Sequence, residues 1–424
     1  MVPEPKVRFK RDDGSSYPAW KVYSISDLFT KIGNKNKDGQ NTNVITNSAE
    51  YGLIPQRDYF DKDIAVEGNT GNYTIIQTGD FVYNPRKSSY APMGPFNCYR
   101  LEEDGIVSPL YSCLRPKGVL NPEFLLWYFQ TDKWYGYVND HGAQNGARHD
   151  RVGMTDKILM GIPVTAPCEE EQQKIADFLS SVDDVISTSE QEVANLETQK
   201  KTVMKKIFTQ EVRFRRADGS DFPEWVEKTF EDIFDVITDY VAAGSFADIS
   251  KNVQYLDKPD YAQLVRTVDV KNSFRNKGFV YVDKRAFDYL YRVELDKEPH
   301  IILPNIGANI GEYYLVEPRD LPYERNVLGP NAIMLGTTNN IYFWAQYLGS
   351  ENFQKNLALI VSSTGQPKFN KTDLRKVAMM SPCEEEQQLI ADFLSDFDEA
   401  IAAAKKELEL WKELKKGLLQ QMFV

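Results

Sequence analysis

The side chains best suited to chemistry in this chain are hydrogen-bond donors, and they come in runs. Asn84, Arg86, Lys87, Ser88, Ser89 and Tyr90 stand side by side in residues 73–94, which read as a strand running into a basic loop. A planar guanidinium matches the O6 and N7 acceptors of a guanine, a carboxamide matches the N6/N7 edge of an adenine, and lysine and serine grip phosphate. The matching place in the second half is 300–317, with Asn305 and Asn309 on its loop. Arg266, Lys271, Arg275 and Lys277 cluster after a strand-like run in 261–278. Two Gly-rich, amide-rich basic loops, 142–151 and 362–371, add Arg148 and Lys368 as phosphate partners. Each run also has a plain reading as a solvated turn or charged face, and the residues alone leave that open.

Catalytic patterns are missing. An Asn/Asp-Pro-Pro-aromatic loop of the kind that grips an extruded base does not occur; the nearest string is Asn84-Pro85-Arg86. No Gly-x-x-x-x-Gly-Lys-Ser/Thr phosphate loop is present. His141, His149 and His300 lack metal-ligand spacing, and Cys98, Cys113, Cys168 and Cys383 are too scattered for a zinc site or disulfide framework. The expectation is a binding chain with no catalytic residue, no metal and no cofactor of its own.

The elements that must carry these loops show in an internal repeat. VRFKRDDGSSYPAW at 7–20 returns as VRFRRADGSDFPEW at 212–225, and PCEEEQQKIADFLS at 167–180 returns as PCEEEQQLIADFLS at 382–395. Between these blocks the halves differ. Four segments follow: a first variable domain over 1–167, a central long helix over 168–211, a second variable domain over 212–382, and a C-terminal long helix over 383–424. Both domains read as mixed α/β (α+β) with short strands and many Gly/Asn/Pro turns. Length supports more than one core, since 424 residues exceed what one usually spans. The net charge of −12 looks adverse for nucleic acid, yet −10 of it lies in the two helical segments. No stretch has membrane-span character and the N-terminus has no signal-peptide core, so the expected location is the cytoplasm.

Each PCEEEQQ block predicts a helix start, with proline at the boundary and carboxylates facing the positive end of the dipole. Apolar residues then step by three and four. The first seam is Leu179, Val182, Ile186, Val193, Leu196, Lys200 and Val203; the second is Leu394, Phe397, Ile401, Leu408, Trp411, Lys415 and Leu418. A lysine falls at the same seam position in both, a device that sets coiled-coil register. The first helix runs into VRFRRADGS, whereas the continuation missing after the second stands at the N-terminus, as in a two-unit ring cut open once. Two antiparallel helices related by a pseudo-twofold axis fit that pattern, each about 60 Å long at about 1.5 Å per residue.

At this point the chain resembles specificity subunits of type I restriction–modification systems. The resemblance spans essentially the whole chain and rests on the two Pro-Cys-Glu-Glu-Glu-Gln-Gln segments, with the Pro18–Trp20 and Pro223–Trp225 blocks. It implies two target recognition domains separated by two long antiparallel helices, and a bipartite, asymmetric double-stranded DNA target with one half read by each domain. It further implies two modification subunits docked on the helices and restriction subunits in the larger assembly. S-adenosylmethionine, ATP and Mg then belong to those partners. In family members the strand–loop at 73–94 and 300–317 resembles a DNA-facing element, and Arg266 and Asp269 match an Arg-x-x-Asp strand. The competing readings are an acidic DNA-mimic inhibitor of restriction enzymes and a nuclease with an unrecognised carboxylate site.

Overall fold

A computed structural model describes residues 4–59, 70–141, 150–362 and 365–424. Two compact units divide the chain: 1–191 with 405–424, and 192–404. Each unit is thus assembled from one recognition domain and parts of both long helices, Glu169–Phe208 and Glu384–Met422.

The first unit is built on strands β1 (Lys21–Ser24), β2 (Phe29–Lys31), β3 (Val44–Ser48), β4 (Gly52–Pro55), β5 (Thr74–Ile76), β6 (Phe81–Tyr83), β7 (Phe96–Cys98), β8 (Gly105–Val107), β9 (Ser112–Pro116) and β10 (Pro163–Ala166). They form sheets in the orders β2-β9-β6-β7 and β4-β3-β8-β5, and the pair β1-β10. The second unit uses β11 (Val226–Thr229), β12 (Val236–Asp239), β13 (Ala262–Val265), β14 (Val280–Val282), β15 (His300–Pro304), β16 (Tyr314–Val316), β17 (Asn326–Leu328), β18 (Ala332–Gly336) and β19 (Ala378–Ser381). Its orders are β12-β18-β15-β16, β14-β13-β17 and β11-β19. The plan repeats: a four-stranded antiparallel sheet, a second sheet containing one parallel pair (β3-β8 or β13-β17), and a terminal antiparallel pair that closes the domain just before a long helix. The stretch 73–94, read as one strand, holds two strands in different sheets, because a turn at Gly79 (φ +89°) redirects the chain between β5 and β6.

Aromatic side chains fill the core beneath each four-stranded sheet. In the first unit Phe96 stacks on Phe129 at 4.0 Å, Phe81 and Trp134 stand edge-on to Phe129, and Phe29 stands edge-on to Phe81. Phe230, Phe343, Trp344 and Phe353 do the same in the second. Asn121 and Asn340 cap the helices that carry much of this core, Pro122–Phe129 and Ile341–Leu348.

The repeated PCEEEQQ block works residue by residue. Glu171 and Glu386, attributed above to the helix dipole alone, are fully buried and take bidentate arginines. Arg8 donates to Glu171 at 2.9 and 3.0 Å, and Arg213 to Glu386 at 3.2 and 2.9 Å. Gln172 and Gln387 are buried and donate to the carbonyls of Pro167 and Pro382. Gln173 and Gln388 accept from the capping amides of Asn121 and Asn340 at 2.7 and 2.8 Å. The VRF blocks supply the arginines, which is why the two motifs repeat together. Each block turns back on itself at a glycine in left-handed conformation, Gly14 (φ +84°) or Gly219 (φ +83°).

The seam positions are shielded from solvent to different degrees. Leu179, Val182, Ile186, Val193, Leu394, Ile401 and Leu408 are buried; Leu196, Lys200, Val203, Phe397, Trp411, Lys415 and Leu418 are half-buried. In the first unit Asp183 meets Lys415 at 2.5 Å and Glu190 meets Lys412 at 2.8 Å, so the two helix segments run antiparallel. In the second, Lys200 meets Asp398 at 2.6 Å. Each seam lysine therefore reaches an aspartate of the facing helix. The N-terminal block also docks where the ring pattern expects. Val7 N–H donates to Gln421 O at 3.1 Å, as Val212 N–H donates to Lys206 O at 3.2 Å.

Candidate nucleic-acid interface

Strand β6 hands the chain to Asn84 and Pro85, then to an exposed run, Arg86–Tyr90. A second segment pins this run: Lys87 N–H donates to Asp150 O at 2.9 Å and Val152 N–H to Pro85 O at 2.8 Å. Arg86 and Arg151 face each other between these bonds. The Asn84 carboxamide is buried and engaged inside the protein, donating to Asn47 O at 3.1 Å and accepting from Arg86 N–H at 3.0 Å. Asn47 in turn donates to Val82 O and accepts from Asn97, both at 2.7 Å. Asn84 thus sets the base of the loop, and Arg86, Lys87, Ser88 and Tyr90 stand exposed to solvent. Beside the loop lies a cleft of about 650 Å³, lined by three tyrosines, Tyr73, Tyr90 and Tyr111, and three cations, Arg86, Lys87 and Arg151. Glu50 is the one carboxylate among its described lining residues.

The second unit repeats the ladder. Gly307 N–H donates to Pro367 O at 2.9 Å and Phe369 N–H to Asn305 O at 3.1 Å, with Ile306 opposite the exposed Lys368. Asn305 Nδ2 donates to Phe369 O at 3.3 Å, and its Oδ1 is buried without a hydrogen-bond partner. Lys271 donates to Asn309 at 3.3 Å and to Glu312 at 2.6 Å, joining the runs 261–278 and 300–317 into one surface. Arg275 and Lys277 are exposed, with no ion pair among the described residues.

Arg266 lies elsewhere in its local structure than the strand reading has it. Strand β13 ends at Val265, and Arg266 caps the short helix Thr267–Lys271. Its guanidinium is paired with the buried Asp269 at 2.7 and 3.0 Å and also donates to Gly278 O at 2.9 Å. That carboxylate pushes the Arg266 pKa further up and holds the side chain to its own loop. Arg148 lies outside the described residues. Arg151, not singled out from the sequence, takes the place in the ladder that Lys368 holds in the second unit. Only the cross-strand register reveals this, because both loop arginines look alike in a Gly-rich stretch.

Burial pushes the Cys98 thiol up to about 11 and Cys113 up to about 12, away from the reactive thiolate. Among the described residues no group of three or more His, Cys, Asp or Glu side chains could hold a metal ion, and no helix is long and apolar enough to cross a membrane.

A family model, the type I restriction modification DNA specificity domain, matches residues 18–198 and 223–410. The chain is 25% identical to the type I restriction enzyme MjaVIII specificity subunit of Methanocaldococcus jannaschii, over 97% of this chain and 94% of that one. It is 26% identical to the putative type I restriction enzyme MjaX specificity subunit of the same organism, over 51% of this chain and 49% of that one. Among solved structures, a chain from work on complex assembly and conformational transition of the type I R-M system aligns with a TM-score of 0.57 at 14% identity, covering 96% of this chain and 98% of that one. The S subunit from M. genitalium aligns at 0.53 and 15%, covering 100% and 99%. At those identities the structural likeness speaks for the fold alone.

Proposed function

This chain belongs to the type I restriction–modification DNA specificity family, and from that premise we propose that each of its units reads one half of a bipartite, asymmetric double-stranded DNA target. One observation carries the reading: each unit presents an equivalent bridged loop pair on its own four-stranded sheet, with unlike side chains on it. Arg86 and Arg151 stand at the rung where the second unit has Ile306 and Lys368. A shared framework with different donors suits two different half-sites, since donor type and position select the base edge.

The chain acts as a recognition subunit without chemistry of its own. Modification subunits dock on the long helices and supply methyl transfer with S-adenosylmethionine. Restriction subunits bring the ATP- and Mg-dependent steps, and the assembly works in the cytoplasm. Phosphate contacts from Lys87, Lys271, Arg275, Lys277 and Lys368 make binding salt-sensitive, while Arg86, Ser88, Tyr90 and Asn309 face base edges and Asn305, its carboxamide turned inward, holds the loop that carries Asn309. The near-neutral recognition domains support this reading over a DNA mimic, whose acidic charge would cover a DNA-like surface rather than sit on two helices.

The test is to map methylated adenines in DNA from cells expressing the chain with its modification partners. Wild type should mark one bipartite sequence. Arg86→Ala should relax one half and Asn305→Ala the other; simultaneous loss of both halves in either variant contradicts the division of labour.

A further inference from the structure

Arg86 and Arg151 face each other across the narrow rung of an antiparallel bridge. Hydrogen bonds run from Lys87 to Asp150 and from Val152 to Pro85, one on each side of the pair. Such a non-hydrogen-bonded pair brings its side chains closest, with Cβ atoms about 4.5–5.5 Å apart. Like charges placed there repel. The nearest paired carboxylate, Asp150, stands 3.8 Å from Arg86 Nε and is half exposed, so it offsets little of that repulsion. Packing does not call for two guanidiniums, because 70% of the Arg86 side chain is in solvent. The sister framework does without them: Ile306 and Lys368 occupy the equivalent rung, with the same flanking bonds. A repulsive pair at the mouth of a tyrosine-lined cleft, on a framework that folds without it, is explained by a ligand that puts acceptors between the two cations.

We propose that Arg86 and Arg151 form a two-guanidinium clamp for an acceptor-rich edge of duplex DNA, which makes Arg151 a DNA-contacting residue of the first unit. The inference rests on the specificity-subunit reading and deepens it. Two edges of duplex DNA offer that chemistry, the O6/N7 edge of a guanine and a backbone phosphate. The equivalent rung of the second unit pairs Ile306 with Lys368 instead, so the two half-sites are held by different chemistry.

The experiment uses the complex of the full chain with its modification partners, as wild type and as Arg151→Gln and Arg151→Lys. Each is exposed to a pool of duplexes with a randomised core. Bound duplexes are sequenced, and affinity for the duplex most enriched by wild type is followed as salt is raised. Arg151→Gln should bind that duplex roughly ten-fold more weakly. Its melting temperature should equal or exceed that of wild type, because a like-charge contact is relieved. If a guanine edge fills the clamp, preference is lost at one position of one half-site and Arg151→Lys does not restore it, lacking the planar fork. If a phosphate fills it, the selected sequence is kept, the salt slope falls by about one, and Arg151→Lys restores binding. Wild-type affinity, sequence preference and salt slope in Arg151→Gln overturn the clamp, as does a lowered melting temperature, which assigns Arg151 a structural role. A wild-type complex that enriches no sequence overturns the specificity reading itself and the clamp with it.

Discussion

Glu171 and Glu386 show how a single side chain decides whether a domain meets its helix. Each is fully out of solvent and each takes both arms of an arginine from a block over 160 residues away. A buried pair of this kind adds little over an apolar pair of the same volume, but removing one partner strands a charge. Glu386→Ala should therefore lower stability by about 3 kcal/mol in denaturant melts. Arg213→Met with Glu386→Met should recover most of that loss, and a double variant as unstable as the single one contradicts the argument. His300, at the start of β15, makes a pH prediction. Burial lowers its pKa below the ordinary value, so the unfolded chain binds the proton first. The neutral ring contributes its stability above the unfolded pKa of about 6.5, and that contribution is lost as pH falls through the depressed folded value. Melting temperature should fall more steeply on acidification in wild type than in His300→Phe; identical slopes would remove the histidine from the account.

At the scale of elements, each long helix buries one narrow stripe. Leu179 and Leu394 are completely buried at equivalent positions, whereas Val185 stands more than a third exposed on the same helix as Leu179. Leu179→Ala and Leu394→Ala should each cost about 3 kcal/mol, and Val185→Ala less than about 0.5 kcal/mol. Equal losses at all three, read by urea titration, would mean the stripe is wrongly drawn. The period of this stripe is legible in the sequence because it is a local property of a helix. The ladders at Arg86/Arg151 and Ile306/Lys368 are not, since they pair segments about 60 residues apart whose loops carry no periodic pattern.

For the whole chain, the ring pattern has a mechanical consequence. Val7 bonds to Gln421 as Val212 bonds to Lys206, and Phe423 packs on Phe124 and Tyr128 as Phe208 packs on Phe343 and Tyr347. Joining the termini through a short linker and opening the chain near Gln210 should leave these contacts intact. That permutant should keep the wild-type circular dichroism and melt cooperatively. Aggregation, or a melt split into two steps absent from wild type, would show that the existing connection at Gln210 is needed.

Residue order alone determined the duplicated plan, the two long helices and the family, because repeats and helical periods are written in local spacing. It also placed the loops that carry donors. Tertiary structure alone decided which donors remain for a ligand: Asn84 turned inward to hold Asn47, Arg266 closed on Asp269, and Arg151 came to stand opposite Arg86. The physical reason is that a polar side chain entering a fold is taken by the nearest buried partner, since leaving that partner unpaired costs more than the new contact yields. Which partner is nearest depends on strand register across long loops, and no local pattern encodes it.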